Sequence, residues 1–149
     1  MKDIIKIIEK QIGRKPRAFI KVVKRCRFRL PIVILSSPEL SPTIFWLTCP
    51  YKTYLISRLE SNGLIKKIKS NPSLKKKILN NNINYIIYRK KLGESYISQE
   101  KGIDGIKDLS SLKCLHSHFA HYLATKNNPL GKIIAKHIKN APPCGKKCF

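Results

Sequence analysis

Apolar residues recur at helical spacing at the start of the chain. Ile4, Ile5, Ile8 and Ile12 share one face of a helix over Asp3 to Ile12, with Lys2, Lys6 and Lys10 elsewhere, and Gly13 ends it. The period then changes. Ala18 to Arg25 is β-branched and aromatic enough for a strand, Pro31 to Leu35 is an apolar run of strand length, and Thr43 to Thr48 makes a third strand stopped by Cys49-Pro50. The Ser/Pro-rich stretch from Ser36 to Pro42 reads as a loop.

Helical spacing returns after Pro50. Tyr51 to Ser61 places Tyr51, Leu55 and Leu59 on one face, with Gly63 as a stop, and Leu64 to Lys69 continues as a short helix. Asn71-Pro72 opens a long helix to about Leu92 that carries Leu74, Ile78, Tyr85 and Tyr88. Gly93 to Leu109 is polar and reads as a loop. Ser110 and Ser111 are placed to cap a helix running to about Thr125. Asn127 to Gly131 reads as a turn, Lys132 to Lys139 as a last short helix, and residues 141–149 as an irregular tail containing Cys144 and Cys148. The expected fold is α+β: a small N-terminal antiparallel sheet of about three strands, packed with a mostly helical C-terminal part. No repeat or linker divides residues 1–149, so a single domain is expected.

Charge changes this picture most. Lys+Arg number 31 against 8 Asp+Glu, a net charge of +23 over 149 residues. Such a surplus favours an anionic partner, nucleic acid or another polyanion, without identifying one. Lysine greatly outnumbers arginine, and isoleucine and asparagine are abundant, so the bias also fits the base composition of a genome. Eight carboxylates spread along the chain argue against chemistry that needs several clustered ones, such as a two-metal nuclease. No apolar run approaches the roughly 20 residues of a membrane-spanning helix. The charged N-terminus does not read as a secretory signal, and five cysteines in a chain read that way lead us to expect reduced thiols and a cytoplasmic location.

The chemically informative residues are Cys26, Cys49, Cys114, Cys144 and Cys148, with His116, His118, His121 and His137. On a helix whose apolar stripe is Leu112, Leu115, Phe119 and Leu123, Cys114, His118 and His121 fall in one sector beside the stripe, and His116 points almost the opposite way. A thiolate and two imidazoles on one face suit a borderline or soft metal. Buried cysteines are also common as plain core residues, and no pair here has the C-x-x-C spacing of a zinc knuckle.

Several short motifs occur in order: Ile12-Gly-Arg-Lys-Pro-Arg17, Arg25-Cys26 before Leu30-Pro31, Trp46-Leu-Thr-Cys-Pro50, Ser57-Arg-Leu-Glu60 with Gly63, Lys113-Cys-Leu-His116, Ala120-His121 and Asn128-Pro-Leu-Gly131. Together they resemble the bacterial domain-of-unknown-function family five-hundred-one, from about Ile12 to Cys144. The family has no assigned activity. The resemblance implies recurring cysteines at Cys26, Cys49, Cys114 and, near the C-terminus, Cys144, with histidines at His116 and His121. Four such cysteines imply a site for zinc or an iron–sulfur cluster, with His116 or His121 as reserve ligand or orienting group. Arg14, Arg17, Arg25 and Arg58 lie in the same motifs and form a candidate anion-binding set, because a guanidinium reads phosphate or carboxylate with two parallel bonds. The competing reading is an enzyme in which Cys114 or Cys49 is a nucleophile, His116 or His121 its base, and the arginines a clamp on an anionic substrate.

Overall fold

The computed structural model describes residues 2–93 and 100–145. Helix α1 (Lys2–Ile12) leads into an antiparallel meander of β1 (Phe19–Arg25), β2 (Pro31–Ser36) and β3 (Phe45–Leu47), in the order β1-β2-β3. Five helices follow: α2 (Pro50–Ser61), α3 (Leu64–Lys69), α4 (Pro72–Lys91), α5 (Leu115–Thr125) and α6 (Pro129–Ile138), with a short 3-10 turn at Ile103–Gly105. The expected α+β architecture is the observed one. No helix among the described residues is long and apolar enough to cross a membrane. Residues 94–99 of the expected loop, and Cys148, lie outside the described residues.

Every residue of β2 is buried, as its unbroken apolar run requires of a central strand covered on both faces. Its register assigns the faces. Val33 pairs with Leu47 and Leu35 with Phe45, and these four belong to the cluster that also holds Tyr85 of α4 and Ala120 of α5. Ile34 pairs with Trp46 and with Val22, on the opposite face. A second cluster joins Ile56, Leu64, Ile68, Ile78, Leu115, Phe119, Leu130 and Ile134 from α2 to α6. Helix α5 contributes to both clusters and so occupies the middle of the molecule.

The end of α5 and the start of α6 meet at a polar node inside the core. Asn128 caps α6: its Oδ1 accepts from the N–H groups of Leu130 (3.0 Å) and Gly131 (3.1 Å). That cap leaves Nδ2 to donate to His118 Nδ1 (3.2 Å) and His121 Nδ1 (3.0 Å). Both imidazoles are therefore acceptors at Nδ1, which makes them neutral. Burial acts the same way, holding His118 at about 3 and His121 at about 4. The stretch expected as a turn at Asn127 to Gly131 is thus an N-cap with proline at the first helical position.

Helices α5 and α6 approach closely at Gly131, leaving no room for a side chain. A Cβ there would lie 2.1 Å from Tyr122 Cβ and 2.9 Å from the His118 carbonyl oxygen. Arg89 of α4 is fully buried and ties two loops together, donating to the carbonyls of Pro42 (2.8 Å) and Lys101 (2.6 Å).

Two outcomes follow from this packing. Gly131→Ala should destabilise the fold by about 1–3 kcal/mol, the range for overpacked core sites, as read by denaturant unfolding. The ordinary histidine value of 6.5 lies above both native values, so between 6.5 and 4 the unfolded chain binds protons that the native chain excludes. Stability should therefore fall as pH drops from 6.5 to 5. The fall should be shallower in His121→Leu.

Candidate metal centre

Helix α2 presents Thr53, Ser57 and Glu60 along one side, because steps of four and seven residues return to nearly the same angle. The start of α5 lies against that side. Cys114 is the N-cap residue of α5, with extended backbone (φ −144°, ψ 127°) and no side-chain cap bond of its own. Glu60 supplies the missing acceptor from across the interface: its Oε1 accepts from Leu115 N–H at 2.8 Å.

His116, in the first turn of α5, is held from two sides. Its Nε2 lies 3.2 Å from the Thr53 carbonyl oxygen and 3.1 Å from Ser57 Oγ. A carbonyl only accepts, so Nε2 carries a proton. Its Nδ1 lies 3.2 Å from Glu60 Oε1 and 3.5 Å from Cys114 Sγ. Nδ1, Sγ and the carboxylate thus converge. Among the described residues, Glu60, Cys114 and His116 are the one set of three His, Cys, Asp or Glu side chains whose ligand atoms all lie within 4.8 Å of one another. The hydrogen bond to Cys114, the charges of Cys114 and Glu60, and the Thr53 carbonyl together raise His116 to about 8, against partial burial.

This arrangement corrects the helical-wheel grouping. Cys114 precedes the helix, so its side chain does not follow the wheel, and it meets His116 rather than His118 or His121. The helix starts at Leu115 and not at Ser110 because Ser110 is engaged elsewhere: its N–H (3.0 Å) and Oγ (2.7 Å) both bond Asp108 Oδ1. His121 lies in the core, with Phe45 stacked on its ring (5.9 Å) and Tyr85 edge-on (4.9 Å).

The other cysteines lie elsewhere. Cys26, Cys49 and Cys144 line one cavity of about 590 Å³, with Lys52 and Lys126 at its wall. The tail reaches this cavity through Arg27, which donates to the Cys144 carbonyl (3.0 Å), and Tyr51, which donates to the Pro142 carbonyl. Of the candidate arginines, Arg14 and Arg17 line a different cavity. Arg25 closes the turn after β1 by donating to the Arg29 carbonyl (2.8 Å). Arg58 donates to Tyr54 Oη (3.0 Å) on the exposed side of α2.

Glu60 was not among the expected ligands. Its spacing to Thr53 and Ser57 was readable, but its pairing with α5 is a long-range contact that no local pattern encodes.

Fold and site together define an α+β chain carrying a mixed carboxylate–thiol–imidazole cluster whose ligand atoms lie close enough together that they could hold a metal ion. A family model described as "Protein of unknown function (DUF501)" matches residues 22–136, and the chain belongs to that family. The match takes in Cys26, Cys49, Glu60, Cys114, His116 and His121, while Arg14, Arg17 and Cys144 lie outside it. No curated protein and no solved structure matches the chain.

In the metal-free chain His116 should titrate near 8 by NMR, and Cys114→Ser should move it down towards 6.5. A native value above the unfolded one means that the stabilisation is present below 6.5 and lost as pH rises through 8. Glu60→Ala should cost about 1–2 kcal/mol through the lost anchor of α5, and Glu60→Gln, which keeps the acceptor, should cost less.

Proposed function

We propose that the chain is a metal-binding protein and that Glu60, Cys114 and His116 hold its ion, zinc by the chemistry of the donors. One observation carries the reading: His116 commits Nε2 to a backbone carbonyl and turns Nδ1 towards a thiol and a carboxylate. A carbonyl on the far nitrogen is the usual support of a metal-bound histidine, since it fixes the tautomer and the ring plane. One sulfur, one nitrogen and one oxygen suit zinc better than calcium or magnesium, which take oxygen ligands. Three protein ligands leave a fourth position for water or substrate, the pattern of reactive rather than purely structural zinc sites.

The same geometry weighs against a cysteine nucleophile worked by His116. A relay needs one imidazole nitrogen for the nucleophile and the other for the orienting carboxylate. Here Nδ1 faces both, and Nε2 faces Thr53 and Ser57.

A second reading rests on a separate observation. Cys26, Cys49 and Cys144 line a common cavity, and three thiolates there would favour a softer site, including an iron–sulfur cluster. The basic surface supports a polyanionic partner as well. Lys66, Lys67, Lys69, Lys75, Lys76 and Lys77 are all exposed along α3 and α4, and affinity for nucleic acid would then fall steeply with salt.

Elemental analysis of protein purified without chelator separates the two metal readings. About one zinc per chain is expected, as for a single mononuclear site. Cys114→Ser and His116→Gln should lose it, and Cys26→Ser should keep it. Metal that survives in Cys114→Ser and disappears in Cys26→Ser would move the site to the second cavity. Absence of metal from the unaltered chain would overturn both.

A further inference from the structure

The face of the sheet turned away from α5 borders a cavity of about 540 Å³, enclosed by the end of α1, the segment 13–18, β2, β3 and the first turns of α2. That volume is in the range that takes a small organic ligand. Three features of the wall point to what it takes.

The first is charge. Arg14 and Arg17 line the cavity, and its lining contains no aspartate or glutamate among the described residues. Both arginines are exposed at the mouth, and the Arg14 guanidinium lies 5.6 Å from the centre of the Trp46 ring. The 12-residue helix α2 begins at this wall with Pro50, adding the positive end of its dipole. The second feature is unspent hydrogen bonding. Gln11 and Thr48 are 8% and 1% exposed, and Gln11 Oε1 and Thr48 Oγ1 have no hydrogen-bond partner among the described residues. Gln11 is not free to turn towards one, because its Nε2 is spent on the Pro31 carbonyl (3.0 Å). Leaving such groups buried and unpaired is unfavourable, a cost that a bound polar molecule removes. The third feature is an apolar floor built by Ile34 and Trp46, which face each other across β2 and β3.

We propose that this cavity is a binding site for a small organic phosphate ester. The phosphate lies between Arg14 and Arg17 at the mouth, where two guanidinium forks and a helix start meet. The organic part rests on Ile34 and Trp46, and its hydroxyl or amino groups bond Gln11 Oε1 and Thr48 Oγ1. The site is distinct from the Glu60–Cys114–His116 cluster. Thr53 belongs to both: it lines the cavity, and its carbonyl accepts from His116.

Trp46 is the only tryptophan of the chain and lies in the wall, so its fluorescence reports occupancy directly. The full chain is titrated with AMP and with phenyl phosphate at fixed ionic strength, with inorganic phosphate and sulfate as controls. At least one ester should give a saturable change, tighter than inorganic phosphate by about tenfold or more, as expected when the organic part is also bound. An Arg14→Gln/Arg17→Gln variant should weaken it at least tenfold, and Thr48→Val several-fold. A Lys75→Gln/Lys76→Gln/Lys77→Gln variant should leave it unchanged, since those residues lie outside the cavity. The proposal is overturned if neither ester saturates. It is equally overturned if inorganic phosphate binds as tightly as the esters, or if the lysine variant weakens binding as much as the arginine variant. If Arg14→Gln/Arg17→Gln fails to fold by circular dichroism, Thr48→Val alone decides.

Discussion

Helix α5 starts without a cap of its own, and much of the molecule is arranged around that lack. Cys114 stands at the capping position but contributes no side-chain cap bond, so the first amide of the helix needs an acceptor from outside. Glu60 provides it from the last turn of α2. The bond fixes where α2 and α5 meet, and α5 packs on the sheet as well as on the helical cluster. The same carboxylate oxygen lies against His116 Nδ1. Anchoring the helix and assembling the cluster are therefore one event: a chain that docks α5 correctly has already brought a carboxylate, a thiol and an imidazole together.

The other end of α5 solves an opposite problem. His118 and His121 are buried where a charge would be costly, and both need a donor at Nδ1. Asn128 supplies it while spending its oxygen on the start of α6. One side chain thus satisfies two backbone amides and two imidazoles, and holds both rings neutral. The histidines of this helix divide by surroundings. His116, half-buried beside Glu60 and Cys114, sits above its ordinary value, and the two core histidines sit below it.

Much of the fold was legible in the chain because its signals are local. The strand-length run at Pro31 to Leu35, the Asn71-Pro72 helix start and the helical spacing after Pro50 all specify elements within a few residues. The elements misread were those decided by a competing partner. Ser110 looks like a helix cap and spends its groups on Asp108. Asn127 to Gly131 looks like a turn, and Asn128 makes it a helix start. At the site, Cys114 and His116 stood out by residue type, but their relation was inverted by a wheel drawn from Leu112, three residues before the helix starts. Glu60 was invisible as a ligand, since 55 residues separate it from the amide it caps. Arg89, at the end of a lysine-rich helix, is fully buried, because the folded loops bring it the carbonyls of Pro42 and Lys101.

The central claim is that a thiolate, an imidazole and a carboxylate converge on one ion. X-ray absorption at the zinc edge of the loaded, full-length chain tests it most directly, because it counts ligands by type. The account predicts a single sulfur at about 2.3 Å with nitrogen and oxygen filling the remaining positions at about 2.0–2.2 Å. A shell of three or four sulfurs would contradict it and place the ion among Cys26, Cys49 and Cys144 instead.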